Sequence, residues 1–349
     1  MTPAGPARDP AVLRMVHAVL MPGFTGTSVP GWLARAIEED LGAVLYFAPN
    51  LTGDAAELSG ALHGTRPGLL VASDEEGGSV TRLHAQRGSP HPGHGELGAA
   101  GDPRRTRTVA AELGRELRAA GIDIGIAPVV DVNVDPANPV IGERSFGSDA
   151  GEVARHGAAF VEGLQSAGVA ATAKHFPGHG DTTTDSHLAL PVIDIDQAVL
   201  RDRELVPFAA AIGAGVRTVM AGHIRIPALD SAPASVSPRA YALLRTELGF
   251  TGAALTDALD MRAMAEYFGS RTALEGLALG AVAALHAGAD LLCLGNPYQG
   301  DESDETIFLT VRDRILAALA DGSVPLARLA EAAGRVAELA AWCRHRGGR

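Results

Sequence analysis

The chain has 349 residues, enough for one large (β/α) barrel or for two smaller domains. Its formal net charge is −12 and no basic block appears, which argues against a phosphate-backbone partner, so nucleic acid is not expected. The two cysteines lie in unlike settings, Cys293 in an apolar strand-like run and Cys343 in the last helix; this excludes a disulfide framework and a Cys-based metal site, and predicts two buried thiols.

Residues 1–10 are rich in Pro and Ala and lack a charged start followed by a sustained apolar core, so no export signal is expected. From there short apolar runs alternate with helical patterns. Eight runs read as strands: 16–21, 43–47, 69–73, 122–132, 169–175, 218–223, 252–257 and 290–294. Between them the helices are punctuated. Asp102-Pro103 supplies an N-cap and an N1 proline, and Val109, Leu113 and Leu117 then form a stripe that stops at Gly121. Ser237-Pro238 repeats that start, with Leu243, Leu244 and Leu248 as the buried face and Gly249 as the stop. The apolar stretch 276–292 is interrupted by His286 and Asp290 and falls short of a membrane span, so no membrane partner and a cytoplasmic location are expected. A final helical pair, 304–320 and 325–342, is separated by Asp321-Gly322.

Strands alternating with helices call for a parallel sheet with crossover helices, and eight such units point to an α/β fold of the (β/α)8 TIM-like barrel kind. It is expected as a single domain over 1–349, with the helices at about 304–343 packed on it. An open doubly wound sheet is the weaker alternative, because no Gly-x-Gly-x-x-Gly follows the first strand; no cofactor is expected.

Polar residues collect at the strand ends, as a barrel requires of an active site on one rim. Asp74 follows the third strand, Asp131 and Arg144 the fourth, Lys174 and His175 the fifth, His223 the sixth and Asp257 the seventh. Asp74-Glu75-Glu76-Gly77-Gly78, with Arg82 shortly after, is either a solvated turn or a polyol site in which carboxylates accept from hydroxyls and a guanidinium donates to others. Arg144, in a long loop, is either a salt-bridge partner or a ligand of the same kind. Lys174 and His175 adjoin on a strand and should face opposite ways unless the strand ends there. Asp257 ends an apolar strand, where a carboxylate is rarely found unless it is paired or functional. Asp260, deeper in the same loop, reads as a helix cap.

The stretch 174–187 concentrates the most chemistry. Pro177, Gly178 and Gly180 end the strand, and a polar loop carrying His179, Asp181, Asp185 and His187 follows. Three readings stand. His175, His179, Asp181 and His187 could ligate zinc, although no helical His-Glu-x-x-His register exists and no metal is expected. Asp185 could orient and charge-stabilise His187, whose unperturbed pKa of ~6.5 suits proton transfer at neutral pH. Or the loop is held only by internal hydrogen bonds.

Lys174-His175-Phe176-Pro177-Gly178-His179-Gly180, followed by Asp185-Ser186-His187, resembles the signature of family 3 glycoside hydrolases in their β-N-acetylglucosaminidase branch. The likeness runs from the 42–50 segment through Asp74 to Gly78, Ile141 to Phe146 and Thr256-Asp257 to Ala287-Gly288-Ala289-Asp290. It implies a (β/α)8-like barrel in which Asp257 is the nucleophile and His187 the acid/base, assisted by Asp185. Sugar binding would fall to Asp74, Arg82, Arg144, Lys174 and His175. Family members often carry Arg and Phe where this chain has Ser79 and Leu83, and a basic residue where Pro49 stands; these departures touch subsite contacts, not the catalytic three. The expected activity is that of a retaining exo-β-N-acetylhexosaminidase, releasing N-acetylglucosamine from a small N-acetylglucosaminide such as a muropeptide fragment in peptidoglycan recycling. Family β-glucosidases generally take their acid/base from a second domain, for which this chain has no room, and that favours the histidine variant. A β-glucosidase-like or phosphorolytic enzyme is the alternative. A silent sugar-binding protein would keep Arg144 and Lys174 but has no need of Asp185, His187 and Asp257 together.

Overall fold

The computed structural model describes residues 9–182 and 190–347. Its strands are β1 (Leu20–Met21), β2 (Ala43–Tyr46), β3 (Leu70–Ser73), β4 (Ile124–Gly125), β5 (Ala170–Phe176), β6 (Thr218–Ala221), β7 (Ala253–Thr256) and β8 (Leu292–Cys293). Consecutive strands from β2 to β7 pair in parallel. β8 returns to β1 with Leu20 opposite Leu292 and Met21 opposite Cys293, and bridges Gly23 to Leu45 and Leu255 to Leu291 join the remaining seams. The sheet therefore closes into a (β/α)8 TIM-like barrel with no free edge.

Closure buries both faces of every strand, which is why the strands read as unbroken apolar runs. Ala43, Leu45, Leu70, Ala72, Ile124, Leu255 and Cys293 belong to the cluster inside the barrel. Their neighbours Val44, Tyr46, Val71, Ala254 and Leu292 face the helices. This is the period-two alternation of a strand expressed as two cores. Both cysteines are buried thiols.

The helical punctuation acts as its residue types require. Asp102 accepts from Arg104 N at 3.0 Å at the start of helix Pro103–Ala119, and Ser237 accepts from Ala240 N at 3.1 Å. The last helix, Leu326–Gly347, crosses the N-terminal mouth of the barrel. Its Val336, Leu339, Ala340 and Cys343 complete the inner cluster, and Cys343 Sγ reaches Asp123 O just before β4 at 3.6 Å. Three arginines bind the buried Asp290 beside it: Arg245, Arg328 and Arg335.

Most strands are shorter than their apolar runs, and the first and fourth differ most. Val16 lies in helix Pro10–Ala18, because Asp9 caps that helix by accepting from Ala11 N at 2.8 Å and Val12 and Val16 share its buried face. The 122–132 run forms strand only at Ile124–Gly125; Pro128, after a cis peptide bond, has no N–H for the ladder, and pairing resumes only as the bridge from Val129 to Lys174. Among the described residues, no helix is long and apolar enough to cross a membrane.

Candidate active site

The strand C-termini share one rim, and the loops leaving it bring charged side chains to a common centre. From the loop after β3 comes Glu76, 1% exposed. Its Oε1 accepts from Arg144 Nη2 at 2.7 Å and Oε2 from Arg144 Nε at 2.9 Å, and Lys174 Nζ forms an ion pair with Oε1 at 2.6 Å. Asp74 receives Lys174 Nζ at 3.0 Å on one oxygen and Arg82 Nη2 at 3.2 Å on the other. Lys174, Arg144 and Arg82 thus meet Asp74 and Glu76 in one network.

Burial alone would raise both carboxyls, but the adjacent cations outweigh it. Lys174 and Arg82 bring Asp74 below its ordinary value, and Arg144 and Lys174 hold Glu76 well below. Arg144 is correspondingly held above its ordinary value, Glu76 overcoming the effect of burial. Behind this network the buried His94 lies edge-on to Phe146 at 4.4 Å and stacked on Phe160 at 5.0 Å. Burial brings it down to about 4, so it adds no third cation to Lys174 and Arg144 at neutral pH.

The donor count shows what the network can do. Lys174 has three N–H bonds, and Asp74 and Glu76 engage two of them. Arg144 donates to both Glu76 oxygens and to Val140 O at 3.0 Å, leaving further guanidinium N–H bonds. A desolvated set of oriented donors beside half-buried Asp74 suits a ligand rich in hydroxyl groups.

His175 is held differently. Asp131, fully buried after β4, accepts from His175 Nδ1 at 2.8 Å, from His175 N at 3.0 Å and from His179 N at 2.8 Å. Burial pushes Asp131 up, yet His175 outweighs it and the carboxyl lies below its ordinary value. The Asp131 contact assigns the proton to Nδ1 and leaves Nε2 for a ligand. Lys174 and His175 both serve the rim although they are adjacent, because the β5 to β6 register shifts between Ala173 and Phe176.

Asp257, half-buried at the end of β7, donates its N–H to Ala221 O at 2.9 Å, and its Oδ1 accepts from Ala258 N at 2.8 Å. His223 braces this turn, with Nε2 2.9 Å from Ala258 O and Nδ1 2.7 Å from Ser235 Oγ. The charge of Asp257 reaches His179, which burial brings down to about 4.

The structure thus brings Asp74, Arg82, Arg144, Lys174 and His175 into one assembly, with Asp257 on the same rim. Asp185 and His187 lie outside the described residues. Of the proposed zinc ligands, His175 is committed to Asp131, and Asp181 accepts from Arg203 Nη2 at 2.6 Å. Among the described residues no group of three or more His, Cys, Asp or Glu side chains could hold a metal ion. Asp260 is not a helix cap: its carboxylate accepts from Asn296 N at 2.8 Å and ties the β7 loop to the β8 loop, while helix Arg262–Phe268 has Met261 at its N-cap. Sequence reasoning missed Glu76 as the hub. The one signal in the sequence was a second carboxylate two positions after Asp74; that Glu75 between them accepts from Arg82 N and Leu83 N is visible only in the structure.

The model of the glycosyl hydrolase family 3 N-terminal domain matches residues 38–339. Beta-hexosaminidase A of Pseudoalteromonas piscicida is 38% identical over 269 residues, which is 69% of this chain but 45% of that protein. A beta-hexosaminidase of Methylobacillus flagellatus is 36% identical over 304 residues, 84% of each chain. Among solved structures, a glycoside hydrolase family 3 beta-N-acetylglucosaminidase from Paenibacillus sp. str. FPU-7 superposes with a TM-score of 0.86 at 39% identity, covering 96% of this chain and 62% of that one. The chain therefore spans less than two thirds of the first of these relatives and of this solved chain.

Proposed function

The chain belongs to glycosyl hydrolase family 3, and from that premise we propose that it is a retaining exo-β-N-acetylhexosaminidase acting on N-acetylglucosaminides. The observation that carries the reading is the position of Asp257, a half-buried carboxylate ending β7 on the rim where Asp74, Glu76, Arg144 and Lys174 assemble. A network of oriented donors and acceptors holds the sugar hydroxyls, and a separate carboxylate remains for the anomeric carbon.

In the first half-reaction His187, backed by Asp185, protonates the departing glycosidic oxygen while Asp257 attacks C1, giving a glycosyl-Asp257 ester and the free aglycone alcohol. In the second, His187 takes a proton from water, the resulting hydroxide attacks C1, and Asp257 leaves as carboxylate. Each half inverts C1, so the configuration is retained overall. Muropeptide fragments generated in peptidoglycan recycling, met in the cytoplasm, are the substrates we assign. The relatives named beta-hexosaminidase support the sugar.

A fluorinated N-acetylglucosamine analogue that forms the ester faster than it loses it, followed by peptide mass spectrometry, tests the assignment. Label is expected on Asp257; label on Asp260, Asp185 or Asp74 would overturn it.

A further inference from the structure

Below the loop that follows β5 lies a carboxylate that the proposed chemistry does not use. Glu204 ends the π-helical segment Leu200–Glu204, a local widening of the helix of the kind that re-aims side chains near functional sites. It is 1% exposed. Its Oε1 accepts from Arg203 Nε at 2.7 Å, while Oε2 is buried with no hydrogen-bond partner among the described residues. The same Arg203 reaches across with Nη2 to Asp181 of the loop at 2.6 Å. Gly178 packs directly on the carboxylate: a Cβ at position 178 would lie 2.3 Å from Glu204 Oε2, and φ there is +132°. The neighbouring His179 N is held by Asp131, and a Cβ on Gly180 would lie 1.9 Å from Val132 O. The stem 177–182 is thus gripped from one side by Asp131 and Val132, in the segment after β4, and from the other by Glu204 and Arg203.

We propose that Glu204 and Arg203 are positioning residues of the active site, which fix the backbone of residues 177–182 and grip it more tightly when Glu204 carries a proton. The inference rests on the reading of this rim as the active site. The charged groups facing Glu204 are Arg203 on its own helix, Asp181 on the loop and Asp131 in the segment after β4. Burial raises Glu204 to about 7 despite Arg203, with Asp131 and Asp181 adding to the rise. Its proton therefore changes within the working range. Because the folded-state value is raised, ionisation opposes the folded contact: the grip is fully present below the ordinary carboxyl value of 4.5, weakens as pH rises from there to about 7, and is constant above. With the proton on, Oε2 meets the Gly178 backbone as a neutral group; with it off, a buried charge faces that backbone with only Arg203 to balance it.

The test is hydrogen exchange of the peptide spanning residues 174–182, followed by mass spectrometry from pH 5.5 to 8.5 and corrected for the intrinsic rate, on the full chain as wild type, Glu204→Gln and Glu204→Ala. Wild-type protection is expected to fall at least tenfold between pH 5.5 and about 7 and to level off above, that of Glu204→Gln to stay flat, and that of Glu204→Ala to be low throughout. The alkaline limb of the kcat/KM profile should move outward in Glu204→Gln. A residue that merely supports the fold would lower Tm without changing either pH dependence. If wild type and Glu204→Gln exchange alike at every pH, the proposal fails. Should Glu204→Ala not fold, the Gln variant decides alone. Exchange needs no substrate, so the clamp can stand where N-acetylglucosaminide cleavage fails, and the reverse.

Discussion

The two ends of the barrel both bury carboxylates among cations, and they use them differently. At the floor, Asp290 is fully buried and faces Arg245, Arg328 and Arg335, with a further bond from Ala254 N at 3.0 Å. Two of those arginines belong to the last helix, which covers the site. Asp123 nearby takes His63 Nε2 at 2.9 Å and Val71 N at 3.1 Å. At the rim, Glu76 is as well paired, but its partners keep donors in hand: Lys174 meets two carboxylates with three N–H bonds, and Arg82 and Asp74 are partly open to solvent. A buried ion pair covered by a helix serves the fold. One with donors to spare at an open mouth serves a ligand, and nothing in the pair itself separates the two cases.

The comparison breaks most sharply under paired substitutions. Asp257→Asn should lower kcat by about 10⁴-fold or more, since it removes the attacking group and barely changes shape. Its Tm should stay within about 2 °C of wild type, because Asn keeps the shape of this half-buried side chain. Asp290→Ala should do the reverse. Three arginines lose their buried partner, stability falls by about 3–5 kcal/mol, and kcat per folded molecule is kept. Denaturant titration beside steady-state kinetics reads both, and a large loss of kcat in folded Asp290→Ala would erase the distinction between floor and rim.

His187→Ala should slow glycosides with poor leaving groups by about 10² to 10⁴-fold and spare activated aryl glycosides, since only the former need the departing oxygen protonated. Equal losses on both substrates would make His187 a binding residue instead.

Much of this architecture is legible in the sequence, for reasons that also mark where legibility ends. Eight apolar runs report eight strands because a closed barrel buries both faces, and Asp102-Pro103 and Ser237-Pro238 report helix starts because capping is local chemistry. Strand length is not local: Val16 is as apolar in helix Pro10–Ala18 as it would be in β1, and only the register of Leu20 against Leu292 fixes where that strand begins. The rim residues are visible because each sits at a strand end. Their wiring is not, since the Glu76 contacts to Arg144 and Lys174 join two separate loops to β5, and sequence places Glu75 and Glu76 side by side with no sign that one turns inward. Asp131 is legible as a strand end, but its hold on His175 follows from the irregular end of β5.

A pH experiment sharpens the rim further. His94 is neutral in the folded chain at neutral pH because burial brings it from 6.5 to about 4, and neither ring nitrogen has a hydrogen-bond partner among the described residues. Between those values the unfolded chain binds the proton and the folded chain does not, so this histidine contributes stability above about pH 6.5 that is lost as pH falls towards 4. The loss is about 3 kcal/mol. His179 adds in the same direction and Glu204 opposes, so the difference between wild type and His94→Gln isolates the effect. Their unfolding free energies, measured by urea from pH 7 to 4, should converge by that amount. A constant difference would mean that the ring is not held neutral behind Glu76.

The smallest effect is expected at Arg82, and it tests where the rim ceases to be structural. The guanidinium is about a third exposed, meets Asp74 through a single 3.2 Å contact, and faces solvent that screens the pair. Such a pair contributes about 0–1 kcal/mol to stability, so Arg82→Gln should leave Tm almost unchanged. Asp74 is still held by Lys174 at 3.0 Å and so remains in place for the ligand. What the variant loses is one charged donor to a sugar hydroxyl, a bond of about 1.5–3 kcal/mol, which predicts a rise in KM of about tenfold or more with kcat less affected. Lys174, fully buried between two carboxylates, should behave otherwise: Lys174→Met leaves Asp74 and Glu76 facing each other without the cation between them, and both stability and KM should suffer. If Arg82→Gln destabilises the protein as much as Lys174→Met does, the contact with Asp74 belongs to the fold after all, and the ligand-facing part of the rim shrinks to Lys174, Arg144 and His175.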